Sequence, residues 1–267
     1  MPGIFAILCF VLCVSCQQVN SSPESGSRID TLHSPAIGDD FTISFKTSDG
    51  FDPGKPFTLI YIADASLGLG QYALGEDSAM SAKLPSNTVL VAIGHVNGSN
   101  EKRARDFIPS DVTGKKEKGF ANADVFYAFL KSQIIPFAEQ RFPGAKKRVF
   151  IGHSFSGLFS LYAALKNEKL FDEFFAISPS VWANHHELMK IEEAFSKNNS
   201  DLSASIHIYA GGLEFLNKVL YSSRRFYHTL LARNYKNLHI SFEVIGGANH
   251  FSIRKPAIDR IMAALAN

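Results

Sequence analysis

The sequence predicts an α/β domain with a mostly parallel central sheet and helices on both faces. Three observations carry that expectation. Short apolar runs alternate along the chain with helix-like stretches, the pattern of a parallel sheet whose crossovers are helical. Several of the runs are nearly continuous in apolar residues, as strands buried on both faces require. One of them ends in a Gly-x-Ser turn immediately before a helical stretch.

Taken in order, the expected strands are residues 41–46, 57–63, 88–94, 148–152, 174–178, 205–210 and 241–245. The expected helices are 122–142, the longest, then 157–165, 217–234 and 253–266. Residues 98–119 read as an irregular, solvated segment, with Lys115, Lys116, Glu117 and Lys118 in succession. The polar stretch 185–199 reads as a loop between two strands. No internal repeat is present.

Composition narrows the classes. The 267 residues carry a net charge of +2, with 46% hydrophobic and 19% charged residues, which excludes a disordered or collagen-like chain. A near-neutral balance gives no footprint for nucleic acid. The three cysteines are Cys9, Cys13 and Cys16. Everything after Cys16 therefore lacks a disulfide framework, a cysteine nucleophile and a thiolate metal site.

The same cysteines sit in a leader. Residues 4–14 form an apolar run of about eleven, short of the ~20 that span a bilayer and suited to the core of a signal peptide. Ser15 before Cys16 resembles the processing site of a bacterial lipoprotein, in which Cys16 becomes the lipidated first residue. The first basic residue is Arg28, and Cys13 stands where Leu is usual. Plain secretion and a buried N-terminal segment are the alternatives. The expected organisation is a signal peptide over 1–15, a polar tether over 16–35 and a catalytic domain over 36–267. The protein is then exported to the bacterial cell envelope, meeting the membrane only through its anchor, or released to the periplasm or medium.

The chemistry centres on Ser154. In Gly152-His153-Ser154-Phe155-Ser156-Gly157 a buried strand ends and a helix begins, and the serine sits on the turn. Such an elbow is sharp and strained; it lifts the hydroxyl above the sheet and needs small neighbours where strand and helix cross. Gly152 supplies one. The fifth motif position is Ser156 rather than Gly, with Gly157 following.

A serine hydroxyl needs a base, and in this order of elements the acid and then the histidine follow the serine. His228, His239 and His250 leave room for an acid before them. His228 falls in a helical pattern and His239 in a strand, whereas His250 lies on the loop after the last strand, where an imidazole can reach back to Ser154. Glu214 is the acid at the end of the preceding strand; Glu243 lies within a strand and Asp201 at the wrong strand end. A carboxylate there fixes the imidazole tautomer. The alternatives are an exposed loop histidine and a helix-start charge.

These residues resemble the putative-esterase family of α/β hydrolases, which includes esterase D, the enterochelin esterases and the mycolyltransferase antigens, with the enterochelin-esterase-like branch the most similar. The resemblance runs from about Phe41 to the C-terminus. Beyond the elbow it rests on Tyr61-Ile62-Ala63-Asp64, on Arg103-Ala104-Arg105-Asp106-Phe107-Ile108-Pro109, and on Asn122-Ala123-Asp124. Ser178-Pro179-Ser180-Val181-Trp182, Gly212-Leu213-Glu214 and Asn249-His250 complete it. The chain departs from the family at Ala65 and at Ser156, both usually Gly.

The resemblance implies an α/β-hydrolase fold and an oxyanion hole made by the backbone N–H groups of Phe155 and Ser66. It implies carboxylic ester hydrolysis through an acyl-enzyme, with a small-molecule ester as partner and no cofactor. An acyltransferase with the same Ser-His-Glu set and a surface binding protein without catalysis are the alternative readings. Trp182 and Arg105 are the candidates for a substrate pocket, each with a structural alternative in core packing or ion pairing. His185, His186 and Glu187 lack zinc-ligand spacing, and no metal is expected.

Overall fold

A computed structural model describes residues 29–66, 69, 83–110, 122–215 and 218–266. The signal-peptide segment, Cys16, the first part of the tether and the Lys115 to Lys118 run lie outside the described residues.

The strands are β1 (Ile29–Ser34), β2 (Asp39–Thr47), β3 (Thr58–Ile62), β4 (Thr88–His95), β5 (Lys147–His153), β6 (Glu173–Ile177), β7 (Asp201–Gly211) and β8 (Lys236–Ile245). They form one eight-stranded sheet in the order β1-β2-β4-β3-β5-β6-β7-β8. β3 to β8 run parallel, while β2 is antiparallel to β4 and β1 antiparallel to β2. The helices are α1 (Asn100–Phe107), α2 (Ala123–Phe129), α3 (Ile135–Arg141), α4 (Phe155–Leu165), α5 (Ala183–Ser196), α6 (Val219–Arg233) and α7 (Arg254–Leu265). A π-helical turn, Leu130–Ile134, joins α2 to α3. The register widens there just before Pro136, which has no N–H to donate back into an α-helical ladder.

Strand residues alternate between two cores. Leu59, Tyr61, Val91 and Phe150 face a large aromatic layer with α1 to α6, where Phe41, Phe107, Phe126 and Phe159 meet at ring distances of 5.1–5.9 Å. Ile60, Ile62, Leu90 and Ile151 face a smaller layer closed by Ile258, Ile261 and Met262 of α7. Helices on both faces of a parallel sheet make this the α/β-hydrolase arrangement. The chain leaves β3 for β4 on one side and returns to β5 on the other. Loops therefore diverge at the C-terminal ends of β3 and β5, the switch point at which open parallel sheets place their ligands.

Three segments differ from the expectations. Residues 29–34, placed in the tether, form edge strand β1, whose period-2 exposure rests one face on the domain. Within the stretch expected to be irregular, residues 100–107 form α1, started by Ser99, whose Oγ accepts from the Lys102 N–H at 3.3 Å. With few apolar residues, α1 packs through Ala104 and Phe107 and is tied down by ion pairs: Lys102 and Arg105 to Asp39, and Arg103 to Asp64. The polar stretch from 185 is α5, which buries Glu187 and Glu192. The Glu192 carboxylate receives Arg233 Nε and Nη2 at 2.9 and 3.0 Å and Tyr235 Oη at 2.8 Å, so a residue that reads as solvated is a satisfied interior acid.

Candidate active site

Ser154 joins β5 to α4 with φ 61° and ψ −114°, a conformation L-residues avoid. The turn is held by close crossing. A Cβ on Gly152 would lie 2.1 Å from the Ser156 carbonyl oxygen, and one on Gly157 would lie 2.9 Å from the Ile177 carbonyl oxygen. The Ser154 N–H donates to the Ile177 carbonyl at 3.0 Å, tying the elbow to β6.

His250 follows β8, and its Nε2 lies 3.0 Å from Ser154 Oγ. Its Nδ1 lies 2.6 Å from Glu214 Oε1. A carboxylate at Nδ1 keeps the proton there and leaves the Nε2 lone pair towards the hydroxyl. Glu214 sits in the turn after β7 and is buried. Its Oε2 accepts from Ser178 Oγ and from the Gly211 N–H, each at 2.6 Å. Burial pushes its pKa up, but the hydrogen bonds from His250, Ser178 and Gly211 outweigh that and hold the carboxyl below its ordinary value. The turn depends on Gly211, where a Cβ would meet the Ala248 carbonyl oxygen at 2.4 Å. The loop carrying His250 thus packs directly on the turn carrying Glu214.

The structure therefore brings Ser154, Glu214 and His250 together at the C-terminal ends of β5, β7 and β8. The other candidates fall elsewhere. His228 is exposed on α6, while His239 lies in β8. Asp201 opens β7 at the opposite strand end and bonds to Asn237. Phe155 is the first residue of α4, where N–H groups have no partner within the helix. Ser66 stands beside the end of β4: a Cβ on Gly94 would be 3.0 Å from its backbone nitrogen, and its Oγ accepts from the His95 N–H at 3.2 Å.

Trp182 is exposed two residues after Ser180, whose Oγ is 3.2 Å from Ser154 Oγ. Arg105 turns to carboxylates instead, Asp106 at 2.7 and 2.8 Å and Asp39 at 3.0 Å. The arginine bonded to the elbow is Arg103, whose Nη2 donates to the His153 carbonyl at 3.3 Å and whose guanidinium lies 5.6 Å from the Phe155 ring centre. His185 and His186 take left-handed backbone at the start of α5, and no cluster of metal-binding side chains occurs among the described residues.

Several site residues carry no signal that sequence reasoning used. Ser178 supports Glu214 and Ser180 touches Ser154, although both fall within a stretch shared with the family. His153 is buried, its Nε2 donating to the His250 carbonyl at 2.8 Å with the two rings 4.7 Å apart. Burial, reinforced by nearby His250, Arg254 and Arg103, pushes its pKa down to about 3, so it is a neutral clamp on the His250 loop.

A family model described as "Putative esterase" matches residues 34–218. The chain belongs to this family. The family's chemistry is carboxylic ester hydrolysis, and the matched span includes Ser154 and Glu214. Among curated relatives, the siderophore triacetylfusarinine C esterase of Aspergillus fumigatus is 30% identical over 167 residues, 60% of this chain and 57% of that protein. The match thus spans less than two thirds of that relative's length. The ferri-bacillibactin esterase BesA of Bacillus subtilis is 26% identical over 232 residues, 79% of each chain. In three dimensions the chain is similar to the siderophore hydrolase EstB from Aspergillus nidulans, with a TM-score of 0.72 at 22% identity over 92% of this chain and 96% of that one. It is equally similar to the BES protein from Bacillus cereus, with a TM-score of 0.73 at 21% identity over 91% and 96%. At those identities the two structures speak to the fold.

Proposed function

We propose that this protein is a serine carboxylic ester hydrolase acting through an acyl-enzyme, with Ser154 as nucleophile, His250 as base and Glu214 as its orienting acid. The observation that carries the reading is the unbroken line from Glu214 Oε1 through the His250 ring to Ser154 Oγ, with links of 2.6 and 3.0 Å. Ser154 Oγ attacks the ester carbonyl carbon and passes its proton to His250 Nε2. The tetrahedral intermediate then expels the alcohol oxygen, which takes that proton back. Water repeats the sequence on the acyl-enzyme and releases the acid. Negative charge on the carbonyl oxygen is met by the N–H groups of Phe155 and Ser66; donors of this kind are worth about 3–4 kcal/mol each.

The substrate class we propose is a siderophore ester, because the two curated relatives named above are a siderophore triacetylfusarinine C esterase and a ferri-bacillibactin esterase. Exposed Trp182, Leu213, Phe215 and Phe251 support a bulky substrate with apolar or aromatic surface: each stands one or two residues from Ser180, Glu214 or His250. The test is a screen of purified protein against siderophore esters, iron-loaded and iron-free, beside p-nitrophenyl and feruloyl esters, with Ser154→Ala as control. The variant is expected to stay folded and to lose activity on the order of 10⁴-fold or more. Retention of a tenth of the parent rate would remove Ser154 from the role.

Export and anchoring through Cys16 belong to the same proposal, supported by the cysteine-free remainder and the polar stretch 17–27. Among the described residues no helix is long and apolar enough to cross a membrane. A Cys16→Ser protein that leaves the membrane fraction with unchanged intrinsic activity is the expected result; one that stays wholly in that fraction contradicts the anchor.

A further inference from the structure

Ser156, the residue that stands where the elbow motif has its second glycine, is completely buried at the start of α4. Its Oγ accepts from the His153 N–H at 2.8 Å. Its single proton has two acceptors in reach, Asp64 Oδ2 at 2.6 Å and the His153 carbonyl at 2.9 Å. The carboxylate is nearer and charged, and the carbonyl already receives Arg103, so the proton goes to Asp64.

Asp64 is itself buried just past β3, two residues before Ser66, on left-handed backbone with φ 64°. Its other bonds come from Arg103, Nε to Oδ1 at 2.6 Å and Nη2 to Oδ2 at 2.9 Å. On its far side the same loop is fixed to the sheet, where the Ala65 N–H donates to the Ile93 carbonyl at 3.0 Å and Ser66 packs against Gly94. The loop after β3 and the elbow after β5 are thus joined directly by one side-chain hydroxyl, while Arg103 of α1 bridges the same Asp64 and the His153 carbonyl. No backbone hydrogen bond joining the two loops occurs among the described residues.

We propose that Ser156 is a positioning residue: its hydroxyl locks the nucleophile elbow to Asp64 and so fixes the distance between the Phe155 and Ser66 N–H groups that receive the oxyanion. The proposal rests on the serine-hydrolase reading above. Ester hydrolysis builds charge on the carbonyl oxygen only after attack, so a loosened hole costs turnover rather than ground-state binding. A residue that merely packs the elbow would instead lower the folded fraction.

The experiment compares the parent protein with Ser156→Ala, using a fluorophosphonate that labels active serines. Labelling builds the same charged oxygen and also counts competent sites. Expected for Ser156→Ala are full labelling stoichiometry, labelling and kcat both slowed on the order of 10- to 100-fold, and KM within about threefold. Should the alanine variant fail to fold, Ser156→Cys, nearly isosteric with a weak donor, is expected to show a smaller loss of the same kind. Ser156→Ala labelling and turning over within threefold of the parent overturns the proposal, as does Ser156→Cys indistinguishable from the parent in both rates. So does a loss wholly explained by fewer labelled sites. A parent protein that does not label at all overturns the serine-hydrolase reading and this proposal with it. With a parent that labels normally, any failure of the expected slowing counts against the role of Ser156 alone.

Discussion

The floor of the site around Ser154 and its rim invert the usual distribution of side chains. On the floor Asp64, Ser156, Ser178, Ser180 and Glu214 are 0–3% exposed although all are polar, and around them Trp182, Leu213, Phe215 and Phe251 are 38–66% exposed although all are apolar. A buried polar group is tolerated only when paired, so each floor residue is fixed in direction by its partners. An exposed apolar group keeps a face open to a ligand, even where, as at Phe251, its ring also meets His250 and Arg254. On the proposed reading the floor sets geometry and the rim affinity, so floor substitutions should act on kcat and rim substitutions on KM.

The sharpest way to break that contrast is Glu214→Gln. The amide can donate as well as accept, and it favours the wrong tautomer of His250. Turnover should fall by about 10³- to 10⁴-fold with KM little changed. If Glu214 only caps the turn, kcat stays within a few fold, and the search for the acid reopens.

A second test concerns the floor's pH dependence through His153. The folded protein holds this ring neutral down to about pH 3, while the unfolded chain takes up the proton near 6.5. Between those values the unfolded state binds more protons. The contribution is therefore fully present above pH 6.5 and is lost as pH falls from there towards 3. Between pH 7 and 4.5 the loss should be roughly 2–3 kcal/mol. Urea unfolding of the parent and of His153→Gln at the two pH values measures it. The variant should lose less stability by about that amount, and parallel pH profiles would show that His153 is not the group responsible.

The smallest expected effects lie on the rim. Phe251→Ala and Trp182→Ala should each raise KM for a bulky ester by about 3- to 10-fold, the worth of one apolar contact, with kcat near that of the parent. Steady-state kinetics on a large and a small ester would separate the regions: a rim substitution that lowers kcat equally for both esters would place that residue with the floor.

Much of this was legible from local sequence. Nearly continuous apolar runs such as 88–94 and 148–152 announce buried strands, because a strand enclosed on both faces has no polar side. Gly152 and Ser154 announce the elbow, because only small residues allow that crossing. His250 and Glu214 stand out because each directly follows a strand on the side where the elbow opens. Less legible were α1 and α5. Their helical faces are charged or polar, so apolar periodicity is weak, and what stabilises them is carboxylates and cations supplied from elsewhere in the chain.

The sequence by itself determined strands β2 to β8 and the helices other than α1 and α5, the turn that carries Ser154, and the strand ends that carry Glu214 and His250. These follow from periodicity and turn chemistry, which act over a few residues. Only the tertiary structure decided which polar groups go inside and whom they meet. Ser156 reaches an acid 92 positions away, and His153 a carbonyl 97 positions away. Arg105, a pocket candidate by sequence, is taken up by Asp106 and Asp39, while its neighbour Arg103 reaches the elbow. A polar group can be buried only with a partner in place, and that partner comes from whichever distant segment the fold brings alongside.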